Sequence, residues 1–311
     1  ALDENALAEA WVDLGAQFGA DAGSDRFSVS LRSLTAPDLL ARAAQLAARQ
    51  LADPAFPEAV WQRERERLGG QLREARTRPS TVAGEAFAAA VYGSHPYGRD
   101  TTVQTLARIG VDDLRAWHAR LLPCRAAVSL VGAVNRAQAE ALVDTLLARL
   151  PRGACPAQAA VPDVAPLAAA RELSIPFESA QAHVLIGQPG IRRADPDFLA
   201  LLVGNHVLGG GGFVSRLTQA VREQRGLSYS VHSGFSPGLH AGAFAVGLQT
   251  RPDQAAEAVR VVREVLRDFV ARGPTPQELR AAKDNLIGGF ALRLDGNRKL
   301  LDNLSNIAWN G

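Results

Sequence analysis

Histidines stand at positions 95, 118, 183, 206, 232 and 240. A zinc hydrolase built on one helix needs two imidazoles four residues apart, so that both reach one metal, and a glutamate between them as base. No pair here has that spacing, so neither HExxH nor HxxEH occurs in the chain. The tetraglycine Gly209, Gly210, Gly211 and Gly212 is not followed by the Gly-Lys-Ser/Thr of a phosphate loop, nor does it fit G-x-G-x-x-G after a strand. Four glycines can let a peptide or another backbone approach closely, or they can simply break a helix. Gly226-Leu227-Ser228-Tyr229-Ser230 approximates a nucleophile elbow but lacks the final glycine and runs from helix to strand, the reverse of that motif. Arg222 and Tyr229 offer a permanently charged fork of donors and a phenol, seven residues apart. Taken singly, Arg222 reads as a cation at a helix C-terminus and Tyr229 as an amphipathic core residue.

The elements that must position these groups form an internal repeat. Phe27–Leu31 and Phe244–Leu248 alternate apolar with small or polar residues, the period of a half-buried strand. Each precedes an amphipathic helix, marked by Leu39, Ala43, Leu46 and Ala47 in the first copy and by Val259, Val262, Leu266 and Phe269 in the second. Each helix stops at a proline-marked turn (Asp53–Pro57; Gly273–Pro276) and restarts as a charged helix. In the second turn Gly273 suits a helix end, Thr275 an N-cap, Pro276 the first helical position, and Glu278 a capping box.

Between the copies the pattern predicts a helix over 111–122, a buried strand over 126–131 and a helix from the Asn135 cap to Leu150. The Pro- and Ala-rich stretch 151–170 reads as a linker. Strands near 173–176, 183–186 and 227–235 and helices over 195–208 and 214–225 follow. The result is an α+β chain with an N-terminal half at 1–150, a linker at 151–170 and a C-terminal half at 171–311.

Composition bounds the partners. The chain has 311 residues, 47% of them apolar, and a net charge of +2, which argues against nucleic acid and anionic membranes as ligands. No apolar run approaches the ~20 residues needed to span a bilayer. Arg greatly outnumbers Lys and Ala is abundant, as in high-GC bacterial genomes; the periplasm is favoured over the cytoplasm. The chain contains no methionine and reads as processed or excised. Cys124 and Cys155 read as two incidental thiols.

Two longer runs go beyond these local readings. Asn205-His-Val-Leu-Gly-Gly-Gly-Gly-Phe-Val-Ser-Arg-Leu217 and Val221-Arg222-Glu-Gln-Arg-Gly-Leu-Ser-Tyr229-Ser-Val231 resemble the signature of the C-terminal half of pitrilysin/insulinase-type zinc peptidases, the family of the mitochondrial processing peptidase. Gln181-Ala-His-Val-Leu, Tyr92-Gly-Ser-His-Pro-Tyr-Gly98 and Val60-Trp-Gln-Arg-Glu-Arg-Glu fit the same pattern, so the resemblance covers essentially the whole chain. It implies two homologous αβ halves arranged as a clamshell. In active members HxxEH and a distant glutamate hold zinc, while an arginine and a tyrosine of the second half bind substrate and stabilise the oxyanion.

Arg222 and Tyr229 match that pair. The zinc helix should lie before Ala1, the last elements of the second half should lie beyond Gly311, and the position of the distal zinc glutamate is occupied by Gln71. The resemblance therefore implies a chain that binds no metal itself. It would act as the zinc-less subunit of a bacterial metalloendopeptidase, beside a homologous HxxEH subunit that carries the zinc, as a heterodimer or a homodimer. Gly209–Gly212 would admit the peptide substrate. The alternatives are an inert structural homologue, or a complete zinc protease of which this is a part.

Overall fold

The computed structural model describes residues 3–155, 157 and 159–310. In chain order the elements are α1 (Glu4–Asp13), β1 (Gln17–Ala22), β2 (Phe27–Arg32), α2 (Pro37–Ala52), α3 (Glu58–Ala75), α4 (Pro79–Tyr92), α5 (Val103–Ala107), α6 (Val111–His118), α7 (Arg136–Leu147), β3 (Ala182–Pro189), α8 (Phe198–Asn205), β4 (Val231–Phe235), β5 (Ala243–Thr250), α9 (Ala255–Arg272), α10 (Pro276–Gly288) and α11 (Asn297–Asn310). This is the expected α+β class. Both copies of strand, helix, turn and helix are present, as β2–α2–α3 and β5–α9–α10.

The chain forms two compact units from interleaved segments. One takes the residues up to Gly69, Val103–Ala159 and the chain from Leu292; the other takes Gly70–Thr102 and Ala160–Ala291. Compaction thus divides the chain differently from the order of its repeats. Residues 70–102 belong with the second unit, and the chain from Leu292 belongs with the first.

In the first unit β1 and β2 pair antiparallel, from Gln17 opposite Arg32 to Ala22 opposite Phe27. The buried face of α2 is almost all alanine (Ala43, Ala44, Ala47 and Ala48), and small side chains let α7 pack closely on it. Asn135 is the expected cap: its side-chain oxygen accepts from Gln138 N, while Gln138 reaches back to Asn135 N and completes a capping box. His118 is structural, with Nε2 2.7 Å from the Leu51 carbonyl oxygen.

In the second unit β3 and β4 flank β5 in an antiparallel sheet of order β3-β5-β4. Val246 and Leu248 of β5, Val261 and Val262 of α9, and Leu217 and Val221 form its core. The turn before α10 is built as its residues dictate. Gly273 takes φ +66°, Thr275 Oγ1 accepts from Glu278 N, and Pro276 opens the helix. The Tyr92–Gly98 segment docks on the turn before β5. Tyr92 Oη accepts from Ala243 N (2.9 Å), and Tyr97 Oη accepts from His240 N (3.1 Å).

Several expectations are corrected. Residues 126–131 form no strand, and Val128 and Leu130 stay exposed; among the described residues no neighbouring strand completes a ladder with them. Residues 173–176 likewise run without regular structure and with Leu173 and Ile175 exposed. The helix from Val111 stops at His118, shortly before Pro123, which opens a separate turn. The strand expected over 227–235 begins only at Val231, because Ser228 and Ser230 bond each other in a local turn. Cys124 and Cys155 are joined as a disulfide, with Cα atoms 6.1 Å apart. Their separation of 31 residues carries no sign of that approach, which depends on how the chain folds back.

Candidate functional site

The candidate site lies in the second unit, on the segment between α8 and β4. This stretch is not the pair of plain α-helices that its periodicity suggests. After α8 the chain widens into a π-helical turn over His206–Gly210, makes a tight turn over Gly212–Val214, and widens again into a π-helix over Thr218–Glu223. Such widened turns recur at functional sites because they shift side chains out of α-helical register.

The glycines hold this shape. Gly209 is buried, and a Cβ there would stand 2.4 Å from Ser233 Oγ and 2.8 Å from Leu217 Cδ1. A Cβ on Gly210 would meet Asn205 Nδ2 at 2.7 Å, and one on Gly211 the His206 carbonyl oxygen at 2.5 Å. Gly212 has φ +65°, where a Cβ is strained. Asn205 ties the loop to β4 by donating to the Ser233 carbonyl and accepting from its hydroxyl. Packing against β4 accounts for Gly209, close approach to Asn205 and His206 for Gly210 and Gly211, and backbone conformation for Gly212.

Arg222 and Tyr229 are brought together by the end of the π-helix. Gly226, at φ +61°, lets its N–H reach the Arg222 carbonyl (2.8 Å), and Leu227 N donates to Val221 O (2.9 Å). Val221 and Leu227 are buried and anchor the two arms, so Arg222 and Tyr229 are carried outward. The guanidinium carbon of Arg222 lies 4.8 Å from the centre of the Tyr229 ring and 4.6 Å from that of Phe213. Both distances are within cation–π range, and the guanidinium sits against two aromatic rings. Its ion pair is with its neighbour Glu223, Nε to Oε1 3.4 Å. Tyr229 is 83% exposed, Phe213 62% and Val214 78%.

Arg216 holds this segment to the α9–α10 turn. It donates twice to Glu278 (2.7 Å each) and once to the Gly273 carbonyl, and it lies 3.4 Å from Asp268. The Arg216 guanidinium pulls the Glu278 carboxyl down to about 2, opposed by partial burial and assisted by Thr275. Arg216 is raised in turn by that bond.

Among the described residues, those around the expected metal position do not fit a zinc ion. Gln71, on α3, is exposed and offers a neutral amide. The next carboxylate along, Glu74, faces Arg78 at 3.8 Å. Among the described residues no three His, Cys, Asp or Glu side chains gather where they could hold a metal.

Phe213, Val214 and Arg216 were not singled out from the sequence. The available signal was two large apolar residues directly after a glycine run, where a turn is exposed.

Residues 108–286 match the family described as the peptidase M16 inactive domain. The chain belongs to the peptidase M16 family. A crystal structure of a peptidase M16 inactive domain from Pseudomonas fluorescens is 33% identical with a TM-score of 0.92, covering 99% of this chain and 74% of that one. An uncharacterized zinc protease of Mycobacterium leprae is 34% identical over 233 residues, 73% of this chain and 52% of the relative. A non-peptidase homolog of Helicobacter pylori is 40% identical over 120 residues, 37% of this chain and 27% of that protein. This M16 chain spans about half the length of the curated zinc-protease relatives it matches. No helix among its described residues is long and apolar enough to cross a membrane.

Proposed function

We propose that this M16 chain is the zinc-less, substrate-binding member of a bacterial metalloendopeptidase pair. It binds an extended peptide at Arg222 and Tyr229 and supports hydrolysis by a homologous zinc-bearing subunit. The observation that carries the reading is the pairing of Arg222 with an exposed Tyr229, 4.8 Å from guanidinium carbon to ring centre; Gln71, at the position that the resemblance gives to a zinc carboxylate, agrees with it. A guanidinium and a phenol held side by side are fixed donors for a peptide carbonyl as charge develops on its oxygen. The role of Gly209–Gly212 in this reading is to set the backbone that presents Phe213 and Arg222.

The Cys124–Cys155 disulfide supports an oxidising compartment and hence the periplasm. The partner is a different, zinc-bearing homologous subunit or a second copy in a homodimer; only the former needs a separate HxxEH gene product. The second reading is an inert binding homologue. Two observations favour it, the inactive-domain description of the family and the Helicobacter pylori relative named a non-peptidase homolog. The third reading, part of a complete zinc protease, draws on the greater length of relatives that carry that name.

The test is turnover by the reconstituted pair with Tyr229→Phe in this chain. Loss of one such donor lowers kcat by about 10²–10³-fold. Unchanged turnover selects the inert homologue.

A further inference from the structure

We propose that Phe213 and Val214 form an apolar subsite beside Arg222, so that the peptide bound there presents a large apolar side chain next to the carbonyl held by Arg222 and Tyr229. The inference rests on the reading of Arg222 and Tyr229 given above.

Three observations carry it. The first is exposure. Phe213, Val214 and Tyr229 are all more than half exposed, and the Arg222 guanidinium joins the two rings into one surface. Large apolar groups held in contact on a surface mark a place where another apolar group is received.

The second is rigidity. The tip that carries Phe213 is pinned on both sides. Ser215 is fully buried and bonds the Gly212 carbonyl through its N–H (3.1 Å) and its hydroxyl (2.7 Å). Gln219 Nε2 donates to the Phe213 carbonyl (2.7 Å). A ring presented on a fixed turn loses little freedom on binding, which is how aromatic anchors gain affinity.

The third is charge. Glu223 lies 3.4 Å from Arg222 Nε and offsets its charge. A neutral amide carbonyl therefore suits the remaining N–H groups better than a phosphate or free carboxylate does. Donors for a carbonyl, flanked by aromatic and aliphatic surface, match an extended peptide with an apolar residue.

The experiment uses two fluorescein-labelled, unstructured peptides of equal charge that differ at one central residue, Leu or Ser. Binding to the chain is read by fluorescence anisotropy. The Leu peptide binds the natural chain about tenfold more tightly than the Ser peptide, the scale of discrimination by an apolar pocket. Phe213→Ala brings that ratio close to one, and Phe213→Leu restores part of the ratio. A preference that survives Phe213→Ala overturns the subsite while leaving the Arg222/Tyr229 reading intact. Arg222→Gln weakens both peptides alike; if it changes neither, or if the natural chain binds neither peptide, the underlying reading falls together with the subsite.

Discussion

The two copies of the repeat have the same order of elements but differ in what surrounds the strand. β5 is the centre of a three-stranded sheet, and most of its residues are buried against α9 and the Leu217–Val221 segment. β2 has one partner strand, and most of its residues face outward, Phe27 and Val29 among them. The contiguous buried cluster of the second unit gathers ten residues, against three (Leu14, Ala16 and Ala43) in the first, whose other buried side chains, Ala44, Ala47 and Ala48 among them, lie outside that cluster. Alternation of apolar and polar residues specifies a strand in both places, but neighbours decide how much of it is removed from water.

That contrast can be broken most sharply in the core. Leu217→Ala, at a fully buried position, is expected to cost about 2–5 kcal/mol, whereas Phe27→Ala on β2, partly exposed and edge-on to Trp117, should cost about 1–2 kcal/mol. Urea melts of both variants check it, and equal costs would remove the contrast. The disulfide is expected to offset the first unit's smaller core. Replacing Cys124 and Cys155 by serine should destabilise that unit by about 2–4 kcal/mol, with the second unit's transition unmoved in calorimetry.

An effect smaller than those at Leu217 and at the disulfide is expected at the Arg216–Glu278 pair, which is partly exposed and so discounted. Arg216→Ala should cost about 1–2 kcal/mol. The folded state holds the Glu278 carboxyl near 2, below its ordinary 4.5, so the pair's contribution is present above about pH 4.5 and is lost as pH falls toward 2. Arg216→Ala should therefore flatten the acid dependence of stability in that window.

Much of the framework could be read in the residues because it rests on local chemistry. Thr275, Pro276 and Glu278, and Asn135 with Gln138, cap their helices as their types require. Arg222 and Tyr229 were visible only as members of a longer pattern, because seven residues of spacing do not by themselves say that a π-helix and a Gly226 turn bring the two together. The segment 126–131 has a strand's composition, but among the described residues it has no strand beside it to pair with, and composition alone does not supply one. The Cys124–Cys155 bond and the stacking of Phe213 on Arg222 depend on approaches across the fold that no local pattern encodes.

The central claim is that Arg222 and Tyr229 act together on one peptide bond. A double-mutant cycle on kcat/KM of the reconstituted pair, with Arg222→Gln, Tyr229→Phe and both, measures it directly. The account predicts that each single change lowers kcat/KM by about 10²-fold or more and that the double change costs clearly less than their product. Single variants that turn over like the natural chain, or losses that multiply as independent sites do, would contradict it.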